Sequence, residues 1–70
     1  METGYFVQET ACIYGHNIGH YLITCPLGNI HIVQWEGYCQ KIERKYFEDN
    51  NKAEKYFKRI CNQILNGKYL

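Results

Sequence analysis

The chain has no apolar run long enough to cross a membrane, because polar residues interrupt every hydrophobic stretch well before the roughly 18 residues that a span needs. Its first residues, Met1 to Gly4, also lack the basic start and apolar stretch of a signal peptide. Both absences predict a soluble, cytoplasmic protein with no membrane partner.

Cysteine pairs of the CxxC or CxC type are missing as well. The four cysteines, Cys12, Cys25, Cys39 and Cys61, are widely spaced, which disfavours a zinc knuckle or a dithiol redox site. Nothing directs secretion, so we expect free, buried thiols that act as small hydrophobic side chains. No cofactor is predicted.

Basic residues are absent from the first half of the chain. Residues 1–35 contain two acids and no Lys or Arg, whereas residues 36–70 contain all eight bases. The formal net charge of +1 excludes both an acidic solvating tail and a histone-like polycation. Any cationic surface must therefore come from the C-terminal half.

Apolar and aromatic side chains are abundant. Hydrophobic residues make up 46% and aromatic residues 16% of the 70 positions, which excludes intrinsic disorder because their burial can offset the ordering entropy. We expect a single small domain, residues 1–70, near the size at which one core is marginal.

Three short strands are predicted where β-branched and aromatic segments alternate with turn residues. They cover residues 5–14, 20–25 and 30–35, with turns between them. A turn at Glu36-Gly37 makes residues 38–47 a fourth antiparallel strand, whereas a bulge there leaves three strands. Residues 40–47 also suit a helix. We favour four strands in a meander.

One amphipathic helix is predicted over about residues 51–66. Its apolar residues recur with a 3.6-residue period and are Ala53, Tyr56, Phe57, Ile60, Cys61, Ile64 and Leu65. Asn51 and Glu54 have the spacing of a capping box, and Gly67 stands where a C-terminal cap is expected. The apolar stripe must bury itself on one face of the sheet, so we predict a two-layer α+β fold.

Histidine and cysteine side chains are the candidates for metal or enzyme chemistry. His16 and His20 are four residues apart, and Cys12 or His31 from a neighbouring strand could complete a metal site. Cys25 or Cys12 beside His31 would make a nucleophilic pair. The glycines around them favour exposed or turn-stabilising histidines, and no third residue orients a catalytic pair. We therefore predict neither a metal site nor an enzyme.

The basic residues of the C-terminal half indicate an anion-binding or nucleic-acid-binding surface as one alternative. They are Lys41, Arg44, Lys45, Lys52, Lys55, Lys58 and Arg59. Clustered cations attract phosphate groups. The simpler interpretation is a solvated helix face on which Glu48 pairs with Lys52 and Glu54 with Lys58.

Aromatic residues outnumber the positions that one small core offers, so some must lie outside it. One helix covers one sheet face, and the residues expected on the uncovered face are Phe6, Tyr14, His31, Val33 and Trp35. Exposed aromatic patches mark protein interfaces. The first three strands carry no base to hold phosphate, so a protein partner, including a second copy of the chain, fits this face better than nucleic acid.

The order of several strands followed by one helix is similar in outline to the arm-binding domains of phage and transposon integrases. That similarity covers topology without a shared motif, so it assigns no residue a role. Proteins of this size are frequent among phage and mobile-element products that bind a host protein. We therefore expect a non-enzymatic protein-interaction module, an inhibitor or adaptor that forms a homodimer, with nucleic-acid binding as the alternative.

Overall fold

The structure, a computed structural model, describes residues 4–36 and 42–67. Four antiparallel strands form one sheet in chain order: β1 (Gly4–Ile13), β2 (His16–Cys25), β3 (Gly28–Glu36) and β4 (Ile42–Phe47). One helix, α1 (Asn50–Leu65), follows and packs on the sheet. The predicted α+β fold with four strands is confirmed, and the predicted part of the fourth strand before Ile42 lies outside the described residues.

The first turn is tighter than predicted. Only Tyr14 and Gly15 connect β1 to β2, and both have positive φ, 51° and 82°. A two-residue turn with two positive φ values matches the twist of the flanking strands. The prediction of a turn over residues 15–19 is therefore wrong, and β2 begins at His16 rather than at His20.

β1 contains a bulge that changes which side chains share a face. The pairing register with β2 shifts between Val7 and Glu9, which leaves Gln8 as the extra residue. Successive strand residues point to opposite faces, so one extra residue reverses the alternation. Ala11 consequently packs against the core beneath α1, whereas Val7 lies on the opposite face of the sheet.

The core lies between α1 and the two central strands, β2 and β3. Its buried apolar side chains are Ile18, Val33, Ala53, Phe57, Ile60 and Ile64. The predicted apolar stripe is thus confirmed for the four helical members of this cluster. Leu65 is the exception, because it is 53% exposed at the end of the helix.

The N-cap of the helix lies two residues before the predicted cap, Asn51. Asp49 is the N-cap, and its side chain accepts a hydrogen bond from the Asn51 backbone N–H at 2.9 Å. The predicted capping box with Asn51 as the cap is therefore wrong, since a carboxylate already satisfies the helix N-terminus. Gly67 follows the C-cap with φ of 83°, as expected of a C-terminal glycine. Among the described residues no helix is long and apolar enough to span a bilayer.

Candidate functional site

The side of the sheet turned away from α1 carries a continuous apolar surface. Its members form two adjacent rows across the strands, Val7-Tyr21-Ile32-Tyr46 and Tyr5-Ile23-Ile30. We call these seven residues the apolar face. Tyr5 and Tyr46 are each 62% exposed, and neither row contains a charged residue.

Tyr21 sets the shape of the apolar face. Its ring folds back along β2 over Gly19, where a Cβ atom would collide with the ring. The ring of Tyr5 stacks on that of Tyr21, with centroids 5.4 Å apart. A glycine in the strand interior therefore accommodates one aromatic ring, and a second ring extends the flat surface.

Two charged side chains border the apolar face along β4. Arg44 lies on the same side of the sheet, where its Nε donates to Gln34 Oε1 at 2.9 Å. Glu48, just beyond the end of β4, lines a shallow depression that it shares with Ile30. Tyr46 therefore lies between a cation on one side and an anion on the other.

The residues predicted for the uncovered face do not share that face. His31 and Val33 are only 7% and 1% exposed, and Trp35 is half-buried against the core. The prediction is wrong for these three residues. Alternation along β3 shows that they share one face of the sheet but not which face is covered, and α1 covers theirs. Phe6 and Tyr14 are exposed, but Phe6 lies on the helix-facing side of β1 and Tyr14 in the first turn.

Sequence reasoning missed the seven residues of the apolar face, although a signal for them was present. In β3, Ile30 and Ile32 alternate with His31 and Val33, so both faces of the strand carry large side chains. A strand that is apolar on both faces is typical of a sheet covered on both sides. This pattern was the signal in the sequence for an apolar surface on the second side of the sheet.

Three histidines are buried on the side that α1 covers. His16, His20 and His31 are 2%, 1% and 7% exposed. His20 Nε2 and His31 Nδ1 lie 2.9 Å apart, so one ring donates a hydrogen bond to the other. His16 stacks on Trp35, with ring centroids 6.0 Å apart. The prediction of exposed or turn-stabilising histidines is therefore wrong, since His16 and His20 lie in the interior.

Burial determines the acid–base behaviour of His20. Loss of solvent lowers the pKa of His20 below its usual range, and the neighbouring His31 lowers it further. The carboxylates of Glu9 on β1 and Glu54 on α1 act in the opposite direction. The neutral ring is thus favoured within the core.

The structure separates the cysteines of β1 and β2 from the histidines. Cys12 and Cys25 point to the uncovered side of the sheet, whereas His31 points toward α1. Neither nucleophilic pair considered above is therefore assembled. Within residues 4–36 and 42–67, no group of three or more His, Cys, Asp or Glu side chains could hold a metal ion.

The three described cysteines are free but differ in exposure. Cys12 is exposed, and Cys25 and Cys61 are half-buried. The prediction of a buried thiol is therefore wrong for Cys12, and Cys39 lies outside the described residues. Burial raises the pKa of Cys61, and the negative charge of Glu9 raises it further.

Timed labelling with a thiol reagent near neutral pH should therefore separate these cysteines. We expect Cys61 to react about tenfold or more slowly than Cys12, because Cys61 is less exposed and burial raises its pKa. Peptide mass spectrometry after quenching measures each rate, and denatured protein gives the unprotected reference. Equal rates at the two positions in the folded protein would contradict the burial order.

Four basic side chains converge beside an aromatic pair on the other side of the molecule. The rings of Phe47 on β4 and Tyr56 on α1 lie 5.4 Å apart. With them, Lys52, Lys55 and Arg59 line a groove of about 270 Å³. Lys45 Nζ reaches the same aromatic pair, 4.9 Å from the Tyr56 centroid. We call these six residues the cationic groove.

The remaining bases of the predicted surface lie elsewhere. Arg44 points to the uncovered side of the sheet, and Lys41 is outside the described residues. Lys58 is exposed and falls on the other flank of α1, the one that carries Glu54. The structure thus brings together four of the seven predicted bases.

The apolar face and the cationic groove lie on opposite sides of the sheet. Comparisons of the chain with protein-family models, with curated proteins and with solved structures found no match.

Proposed function

We propose that this protein is a non-enzymatic protein-interaction module whose apolar face binds a second copy of the same chain. The apolar face is the observation that carries the proposal. An antiparallel sheet with one face in water normally presents polar side chains there. Here seven apolar residues occupy two rows of that face without a charge. A surface of this kind is typical of an interface.

The uncovered side of the sheet as a whole approaches the area that a stable dimer needs. Four strands about 4.8 Å apart, of which the longest has about ten residues, give a face of about 19 by 33 Å. The projected area is about 600 Å², and protruding side chains raise the accessible area toward the ~800 Å² per partner of a standard interface. Two such faces can stack about 10 Å apart with interdigitating side chains.

The charges at the border select a second copy in one orientation. Arg44 and Tyr46 follow one another on the uncovered side of β4, and Glu48 lies just beyond the end of that strand, in the depression that it shares with Ile30. A two-fold axis along the Val7-Tyr21-Ile32-Tyr46 row places Tyr46 opposite Tyr46 of the second copy. It also places Arg44 of each copy opposite Glu48 of the other. The same chain therefore supplies complementary charge at both borders.

Charge exchange between two variants tests this arrangement. Arg44→Glu gives a copy with acids at both borders, and Glu48→Arg gives a copy with bases at both. We expect each variant alone to dimerise about tenfold more weakly, since two attractive contacts of up to about 1 kcal/mol become repulsive. The mixture should recover most of the lost affinity as a heterodimer, which native mass spectrometry distinguishes by mass.

Two controls separate the apolar face from other modes of association. Tyr46→Lys, an exposed change on an edge strand, should abolish the dimer by placing like charges opposite each other. Lys58→Glu, far from the apolar face, should leave it intact. Wild-type protein that sediments as a monomer at millimolar concentration would overturn the proposal. A dimer that Tyr46→Lys leaves unchanged would assign association to another surface.

A further inference from the structure

We propose that the cationic groove binds single-stranded nucleic acid, as a second site independent of the apolar face. The groove lies between α1 and β4, on the helix side of the sheet. The apolar face lies on the opposite side, so a dimer formed through it leaves both grooves open to solvent.

The charge distribution around the groove favours an anionic ligand. Three bases line it and Lys45 reaches its aromatic pair, whereas no carboxylate is among the described residues that line it. Two acids precede Lys52 closely in the chain, but neither lines the groove. Asp49 caps α1, and Glu48 lies beside the apolar face. Like charges that converge without a lining carboxylate repel one another, so a bound anion relieves their repulsion.

Acids on neighbouring positions do not reverse this balance. Glu54 raises the pKa of His20 from the other flank of α1, so its carboxylate lies away from the groove. Glu43 lies on the helix side of β4 but pairs in register with Trp35, one row away from Lys45. The groove therefore keeps a local positive charge within a chain that is close to neutral.

The aromatic pair selects nucleic acid among the anions. The Phe47 and Tyr56 rings are tilted by 46° and form the apolar part of the groove. An acidic peptide uses the cations but gains little from two rings, whereas a nucleobase stacks on a ring with about 1–3 kcal/mol per base. Bases of a duplex are already stacked on one another, so a single strand is the form that can use both features.

Lys45 links the positive charge of the groove to its aromatic pair. Its Nζ lies 4.9 Å from the Tyr56 centroid and 5.8 Å from the Phe47 centroid. A flexible lysine over a ring can move aside for a base and then contact the adjoining phosphate. One nucleotide can thus contact a cation through its phosphate and an aromatic ring through its base.

Fluorescence anisotropy with a short labelled oligothymidylate at low salt tests the proposal. The decisive comparison is Lys52→Glu in the groove against Lys58→Glu on the other flank, since both change the net charge equally. We expect Lys52→Glu to weaken binding about tenfold or more and Lys58→Glu less than about threefold. The slope of log affinity against log salt should flatten by about 0.7 or more only for Lys52→Glu, because a phosphate contact is lost.

A second pair of measurements tests the choice of ligand. Tyr56→Leu keeps an apolar side chain but removes the ring, and should weaken binding about fivefold or more without changing the salt slope. Circular dichroism confirms that each variant is folded. If polyglutamate competes as effectively as unlabelled oligothymidylate, the groove binds acidic polypeptides and the proposal is wrong. Equal losses for Lys52→Glu and Lys58→Glu, or no binding at low salt, would also overturn the proposal.

Discussion

Replacing Phe57 with alanine is expected to lower the free energy of unfolding by about 3–5 kcal/mol. The Phe57 side chain is 5% exposed in the middle of α1, within the buried cluster that joins the helix to the sheet. A domain this small has on the order of 5 kcal/mol of stability in total. The variant should therefore be largely unfolded at physiological temperature.

Urea denaturation followed by far-ultraviolet circular dichroism measures this loss. Leu65→Ala is the matched control, since Leu65 lies on the same helix but is 53% exposed, and it should cost less than about 1 kcal/mol. The proposed dimer would add stability by mass action, so both variants are compared with wild type at one low protein concentration. A Phe57→Ala midpoint close to that of wild type would place Phe57 outside the energetic core.

Acidification from about pH 7.5 to about pH 5 is expected to destabilise the fold through His20. Burial and the neighbouring His31 lower the pKa of His20 in the folded protein, while an unfolded histidine titrates near its usual value of about 6.5. Below that pH the unfolded chain binds a proton that folded His20 resists. Stability is therefore retained above about pH 6.5 and falls as pH drops below it, by at most about 1.4 kcal/mol per pH unit for each proton.

Two substitutions test the assignment to His20. His20→Gln removes the titrating ring while keeping a polar side chain that can hydrogen-bond His31, so the urea midpoint should vary less with pH. Glu54→Gln removes a carboxylate that raises the pKa of His20, so the loss on acidification should grow. An unchanged pH profile in His20→Gln would assign the acid sensitivity to other groups.

The helix and its buried face were predictable because one physical rule governs both. Apolar residues at a 3.6-residue period have one way to share a face, and Phe57, Ile60 and Ile64 are buried as that period requires. Four strands were also predictable from the positions of turn residues. The exact turn at Tyr14-Gly15 was not, since a non-glycine residue at positive φ is uncommon and carries little sequence signal.

The faces of the strands were less predictable, because alternation identifies two sets of residues without saying which set is covered. Tyr5, Val7, Ala11 and Ile13 recur at even spacing and suggest one face, but the bulge at Gln8 divides them between two. Burial of His20 depends on its hydrogen bond to His31 on another strand, a partnership that no local pattern reveals. The cationic groove was not predictable either, because only the placement of α1 beside β4 shows which of the bases lie together.

The bulge at Gln8 also affects how readily the outer edge of the sheet can pair with a further strand. β1 is an edge strand of ten residues with one charged side chain, Glu9, so its outer backbone groups offer a template for another strand. A bulge twists such an edge and interrupts the straight run that a neighbouring chain would pair with. Deleting Gln8 would keep the same residues paired with β2 but leave a straight, mostly uncharged edge. Open-ended stacking through that edge would then compete with the proposed two-fold dimer, so the extra residue in β1 would favour an assembly that stops at two copies.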